Sequence, residues 1–188
     1  MNFDDPKFTS VHHRNVWGEW TFVFEGSKLC LLNYRDPEGN EQAKVPPSSV
    51  FACAGTKYVP EEKLPSSTAA AYRKVVTQLN EFLAGKRKTF NVALKLYGTP
   101  FQIKVWEALK EIPFGETRTY KEMASIIGEP KAIRAIGGAL HANPLPIILP
   151  CHRVLGSDGK LVGFAMGLDL KRRLLILEGA IQNEMILE

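Results

Sequence analysis

The stretch Thr119-Tyr-Lys-Glu-Met-Ala-Ser-Ile-Ile-Gly-Glu-Pro-Lys-Ala-Ile-Arg-Ala-Ile-Gly-Gly-Ala-Leu-His-Ala-Asn-Pro144 carries the local signals that decide the architecture of the second half of the chain. Thr119 followed three residues later by Glu122 fits a capping box, and Met123, Ile126 and Ile127 supply the buried side of a short helix. Gly128-Glu-Pro130 makes a tight turn, and the spacing predicts a second helix over Lys131–Ala142, ended by Asn143-Pro144. Two short helices on a three-residue turn predict a helix-turn-helix, although an ordinary αα-corner has the same pattern. The second helix is rich in Ala132, Ala135, Gly137, Gly138, Ala139 and Ala142, so few of its side chains can reach base edges in a major groove. Each interior glycine costs about 1 kcal/mol relative to alanine. Close backbone approach offsets that cost, either to a neighbouring helix or to a narrow minor groove. Arg134 is the long cationic side chain near the front of the helix, suited to entering a base stack.

Working outward, Thr99-Pro100 reads as an N-cap with proline at the first helical position, and Phe101, Val105, Leu109 and Ile112 line one face until Pro113 and Gly115 stop it. Tyr72, Val75, Val76, Leu79, Phe82 and Leu83 recur at helical spacing from Ser67, a serine read as the cap, to Gly85 just past the end. Two β-rich runs between Trp17 and Tyr34, split by Gly26-Ser27, predict a hairpin on which that helix packs. Residues 36–66 carry no sustained periodicity and read as an irregular segment. The expectation is an α+β protein: residues 1–95 form a small antiparallel sheet with a packed helix, and residues 96–188 a mainly helical domain containing the helix-turn-helix.

Composition narrows the function classes. With 188 residues, 45% hydrophobic and 23% charged, the chain has material for one substantial core or two small ones. No apolar run approaches the ~20 residues of a membrane span, and Asp4 and Asp5 stand where a signal peptide is basic, so the chain is expected to be intracellular. Cys30, Cys53 and Cys151 are an odd count with no Cys-x-x-Cys pair, which signals neither a disulfide framework nor a ribbon-type zinc site. The formal charge is +4, with 13 basic against 10 acidic residues in 1–100 and 11 against 10 in 101–188, so any contact with nucleic acid must be local.

The chemistry points to Ile147-Ile-Leu-Pro-Cys-His-Arg-Val154, read as an apolar β-like run that delivers a cysteine and a histidine at its C-terminal end. Adjacent strand residues face opposite ways, so Cys151 and His152 do not readily form a direct dyad, and the histidine is expected to act through a bridging water. A free thiol with a pKa of ~8.5 is only ~3% thiolate at pH 7, so a relay that takes its proton raises the reactive population more than tenfold. Glu178, near the end of a helix read over Asp169–Gly179, is the candidate carboxylate to orient the other imidazole nitrogen; at that position it opposes the helix dipole.

Pro150-Cys-His-Arg153, preceded by Asn143-Pro and Pro146-Ile-Ile-Leu and followed by Gly163-Phe-Ala-Met-Gly-Leu168, Lys171 and Leu174-Leu-Ile-Leu-Glu-Gly179, closely resembles the O6-alkylguanine-DNA alkyltransferases (methylated-DNA–protein-cysteine methyltransferases). Gly98-Thr-Pro-Phe-Gln102, Val105-Trp106, Ile112-Pro-Phe-Gly-Glu-Thr117, Tyr120 and Pro130-Lys-Ala-Ile-Arg-Ala135 match in order and spacing, so the resemblance covers Gly98–Gly179. It implies repair of O6-alkylguanine, and of O4-alkylthymine, in double-stranded DNA approached from the minor groove. The alkyl group moves irreversibly to the cysteine, with no cofactor and no metal, in a monomeric protein of the cytoplasm, or of the nucleus in a eukaryote.

By position the resemblance makes Cys151 the acceptor, His152 the water-mediated base, Glu178 its orienting partner and Asn143 the residue that holds the site together. Arg134 would fill the space of the flipped nucleotide, and Tyr120 would crowd the target phosphate and hydrogen-bond the base. Backbone groups at Cys151, Val154 and Ala165 would bind the guanine edge, with Phe164, Met166, Arg153 and Lys171 assigned to the substrate and DNA surface. Met166 stands where the family usually has glycine and Phe164 where it often has tyrosine, which bears on pocket width. His12, His13, Cys30 and Cys53 resemble no known zinc set in spacing. Two other readings share parts of this pattern: a non-catalytic module that grips alkylated DNA, against which Cys151 argues, and a cysteine hydrolase, which needs a direct Cys-His contact and turnover.

Overall fold

The computed structural model of the chain describes residues 7–38 and 58–182, so Cys53 and most of the irregular segment lie outside the described residues. The chain divides into two compact units, Met1–Gly98 and Thr99–Glu188. The whole is a mixed α+β fold, as expected, with a small antiparallel sheet in the first unit and most of the helix in the second.

The first unit is an antiparallel meander of β1 (Phe8–Asn15), β2 (Gly18–Glu25) and β3 (Lys28–Arg35). The expected hairpin is β2–β3, turned at Gly26 in the left-handed region (φ 58°). β1 was not expected, because His12-His13-Arg14 masks its alternation; it pairs in register from Phe8 opposite Glu25 to Asn15 opposite Gly18. α1 (Ser66–Leu83) lies on this sheet: it buries Tyr72, Val75, Leu79, Phe82 and Leu83, and Tyr72 Oη donates to His12 O at 3.1 Å. Ser67 does not cap it. Pro65 occupies the cap position without a side-chain bond, and Ser67 lies in the first turn.

The second unit contains α2 (Pro100–Leu109), β4 (Arg118–Thr119), α3 (Tyr120–Ile126), α4 (Ile133–His141), β5 (Val154–Leu155) and α5 (Leu168–Leu177). Thr99 and Thr119 each close a capping box, with Gln102 and Glu122 respectively. α3 and α4 pack as the expected helix-turn-helix, with Gly128 at φ 71° in the connection. α4 begins two residues later than the spacing predicts, because Ala132 donates back to Glu129 O in a turn. Of the residues expected in the core, Met123 and Ile127 are buried, but Ile126 is 49% exposed. Trp106 of α2 anchors the motif by donating from Nε1 to Ala139 O at 2.8 Å, fully buried. β4 and β5 form a two-residue parallel pair that brings the start of α3 alongside Val154. Among the described residues no helix is long and apolar enough to cross a membrane.

Candidate active site

The segment between α4 and β5 departs from the sequence expectation. Ile147–Leu149 is not a strand: Leu149 N returns to Leu145 O at 2.8 Å in a tight turn, and Ile147 sits at φ 72°. A β-branched residue in that region carries strain of about 1–3 kcal/mol. A second tight turn follows at Pro150 (φ −79°, ψ 63°), where Cys151 N donates to Leu149 O at 2.7 Å, and Cys151–Arg153 then form a single 3-10 turn. Cys151 and His152 therefore lie in a turn, and alternating strand faces do not separate them.

Asn143, just past α4, holds this double turn. Its Oδ1 accepts from Leu145 N at 3.0 Å, while its Nδ2 donates to Leu149 O at 2.8 Å and to Cys151 Sγ at 3.0 Å. The thiol is 5% exposed. Burial pushes its pKa up to about 11, with the Asn143 hydrogen bond and the Lys171 charge opposing that rise. At pH 7 roughly one thiol in ten thousand is then ionised, far below the few per cent of a free cysteine.

His152 and Glu178 are both buried, and His152 Nε2 lies 2.7 Å from Glu178 Oε1. Glu178, at the C-cap of α5, also accepts from Arg153 Nε (2.8 Å), from Arg153 Nη2 (3.0 Å) and from Gly115 N (3.1 Å). Burial alone would raise this carboxyl, but the hydrogen bonds and charges of His152 and Arg153 outweigh it and hold it below the usual carboxylate range. An ionised carboxylate can only accept, so Nε2 carries the imidazole proton. Burial pushes His152 below the ordinary imidazole range, against the pull of Glu178, and keeps it neutral. Its Nδ1 is buried, without a hydrogen-bond partner among the described residues, and is left with a free lone pair. The ring is thus set up to take a proton at Nδ1 while the charge that develops is stabilised from Nε2.

Tyr120, the first residue of α3, is half-buried; its pKa is raised by burial and by the Cys151 charge. A Cβ on Gly137 would come to 3.8 Å from its ring, and one on Gly163 to 3.4 Å from its hydroxyl, so the ring borders both α4 and the loop before α5. Phe164 of that loop meets His152 edge-on at 6.3 Å. Ala165 is half-buried and Met166 is 1% exposed, so Met166 points into the protein and not into solvent. Val154 is fully buried. Arg134 stands exposed on α4.

Two residues assigned to the substrate and DNA surface have other partners. Arg153 is 5% exposed and spends its guanidinium on Glu178 and on Ile112 O at 2.6 Å. Lys171 is fully buried, donates to Val154 O at 2.6 Å and to Val162 O at 2.8 Å, and is pushed down to about 8 by burial. Neither presents its charge to a phosphate. The sequence reading missed Arg153 as the second holder of Glu178, and it missed Gly115. Gly115 is at φ 82°, and a Cβ there would meet Glu178 O at 2.9 Å, so the glycine of Pro113-Phe-Gly115 was the available signal. Away from this site, His12 pairs with Glu19, His13 with Asn80, and Cys30 donates to Lys28 O.

Comparison with known proteins agrees with this arrangement. Residues 100–180 match the model of the 6-O-methylguanine DNA methyltransferase, DNA binding domain. A methylated-DNA–protein-cysteine methyltransferase of Methanosarcina acetivorans is 57% identical over 109 residues, which span 58% of this chain and 70% of that protein. One from Mycobacterium tuberculosis is 53% identical over 108 residues, 57% of this chain and 66% of its own length. The crystal structure of Mycobacterium tuberculosis OGT in complex with DNA superposes with a TM-score of 0.73 at 38% identity, covering 92% of this chain and 93% of that one. With a relative 57% identical over 109 residues, which span 70% of that protein, and a solved structure that matches 92% of this chain, the chain belongs to the methylated-DNA–protein-cysteine methyltransferase family.

Proposed function

We propose that this protein repairs O6-alkylguanine in double-stranded DNA by transferring the alkyl group to Cys151, once per molecule and without a cofactor. The observation that carries the reading is a buried thiol gripped by Asn143, next to a neutral histidine whose proton-accepting nitrogen is free and whose other nitrogen is fixed by an ionised Glu178. In the reaction the thiol proton leaves by way of His152 Nδ1 and a bridging water, and the sulfur attacks the alkyl carbon. The bond from that carbon to guanine O6 breaks, and a proton added at guanine N1 restores the normal base. A thioether remains on Cys151. The suppressed resting thiolate means that activation has to accompany the arrival of the substrate.

The DNA would be approached from the minor groove by α4. A Cβ on Gly138 would meet nothing within 4 Å, so internal packing does not require that glycine, and with exposed Ala135 it leaves a shallow face beside Arg134. Arg134 would fill the gap left by a flipped nucleotide, with Tyr120 at the pocket edge. Flipping costs a few kcal/mol, which such contacts offset. Arg153 and Lys171 act inside the protein in this scheme, as holders of Glu178 and of the loop before α5. The protein acts as a monomer, in the cytoplasm or, in a eukaryote, the nucleus.

Intact mass before and after incubation with duplex DNA containing O6-methylguanine tests the scheme. One added methyl per chain, mapped to the Cys151 peptide and absent in Cys151→Ser, is the expected result. Binding without mass gain indicates a non-catalytic module, repeated turnover indicates a hydrolase, and an adduct on Cys30 or Cys53 rejects the acceptor assignment.

A further inference from the structure

Ile147 is the one non-glycine residue with a positive φ among the described residues. A β-branched side chain in the left-handed region crowds its own backbone, and glycine would remove the conflict. An isoleucine occupies the position instead, with 1% of its surface exposed. The groups two residues to either side of it show what the strained conformation accomplishes. Leu145 N and Leu149 O are both held by the side chain of Asn143, at 3.0 Å and 2.8 Å. The same Nδ2 that holds Leu149 O also holds Cys151 Sγ at 3.0 Å, and Cys151 N is tied to Leu149 O through the Pro150 turn. Carbonyl and thiol therefore move together. Relaxing residue 147 to an ordinary φ requires a rotation of more than about 120° and would swing the Leu149 carbonyl, and the thiol with it, off Asn143. A β-branched side chain packed in the interior has few rotamers to escape into, so it resists that rotation.

We propose that Ile147 is a positioning residue for alkyl transfer: its buried, β-branched side chain locks a left-handed backbone that brings the Leu149 carbonyl and the Cys151 thiol onto one amide nitrogen of Asn143. The inference rests on Cys151 being the acceptor. Ile147 acts through the turn and not on the alkyl group. Removing its side chain therefore affects the transfer step, where misplacement by about 1 Å can cost on the order of a hundredfold, and spares DNA binding.

The test is single-turnover transfer from an O6-methylguanine duplex to wild type, Ile147→Gly and Ile147→Val. Methylated protein is followed by intact mass over a range of DNA concentrations, so that limiting rate and half-saturating concentration separate. Ile147→Gly should lower the limiting rate about tenfold or more, with half-saturation within about twofold of wild type. Ile147→Val, which keeps the branch at Cβ, should recover the rate to within about threefold. A role in packing alone lowers the melting temperature of both variants but leaves their limiting rates unchanged well below melting. An unchanged rate in Ile147→Gly, or equal losses in the two variants, overturns the proposal. If Ile147→Gly does not fold, Ile147→Leu keeps the volume without the β-branch: a reduced limiting rate at unchanged half-saturation supports the proposal, and a wild-type rate overturns it. Wild type that gains no mass at Cys151 instead removes the acceptor reading, and this inference with it.

Discussion

Replacing Glu178 by glutamine changes one atom and should damage both stability and chemistry. The carboxylate accepts four hydrogen bonds, from His152 Nε2, Arg153 Nε, Arg153 Nη2 and Gly115 N. An amide offers one acceptor oxygen and turns its NH2 toward a donor. An NH2 in place of Oε1 leaves the imidazole Nε2–H and Arg153 Nη2 unpartnered, and one in place of Oε2 leaves Arg153 Nε and Gly115 N unpartnered, in a site where His152 is fully buried and Arg153 is 5% exposed. Removing one member of a buried ion pair costs about 3–5 kcal/mol. The retained oxygen places Glu178→Gln near the lower end, about 3 kcal/mol. At roughly 4 °C per kcal/mol for a unit of this size, the melting temperature should fall by about 12 °C or more. The imidazole also loses the charge that stabilises its protonated form, so the transfer rate on O6-methylguanine DNA should drop on the order of a hundredfold, within the usual range for a general base. Thermal unfolding by circular dichroism and single-turnover kinetics well below melting measure the two effects separately. A variant that transfers within threefold of wild type refutes the relay, even if it melts early, and one that melts within 2 °C of wild type refutes the buried-pair argument.

Other consequences can be checked directly. In DNA-free protein, modification of Cys151 by iodoacetamide should accelerate with pH toward a midpoint near 11; Asn143→Ala, which removes a hydrogen bond that lowers the thiol pKa, should move that midpoint upward and destabilise the fold by about 1–3 kcal/mol through Leu145 N and Leu149 O left unpaired. His152 and Glu178 both have depressed pKa values in the folded protein, so the unfolded chain takes up more protons in acid. Unfolding free energy should therefore be greatest above the ordinary histidine range and fall as the pH drops below about 6.5, and then further through the carboxylate range, as read by urea denaturation at several pH values; a curve flat from pH 7 to 4 contradicts the assignment. Arg134→Ala should slow repair in duplex DNA while leaving reaction with free O6-benzylguanine nearly unchanged, and equal losses on both would remove Arg134 from base flipping.

Legibility of the sequence followed the range of the interactions. The N-cap at Thr99, the capping box at Thr119, the helix stop at Gly85 and the hairpin turn at Gly26 are decided within four residues, and all appear where the text places them. Motif and resemblance also single out Cys151, His152 and Glu178, and the structure brings the last two within 2.7 Å of each other. Contacts between distant segments were not. That Arg153 reaches Ile112 O and Glu178 depends on three separated segments meeting, and no local pattern distinguishes such an arginine from one that faces phosphate. Lys171 misled in the same way, since a lysine on a short helix reads as solvated until two carbonyls are found at its ammonium. Ile147 misled differently: Ile-Ile-Leu is β-forming text, and the turn that overrides it is imposed by an asparagine four residues upstream.

The raised, hidden thiol also bears on how long the protein lasts unused. A molecule that reacts once is a consumable reagent, and its useful lifetime in a cell is set by peroxide and stray electrophiles, which attack the thiolate form. With Cys151 5% exposed and its pKa at about 11, the unbound protein offers such reagents almost no thiolate, so ageing by oxidation should be slow beside the chemistry it reserves for damaged DNA.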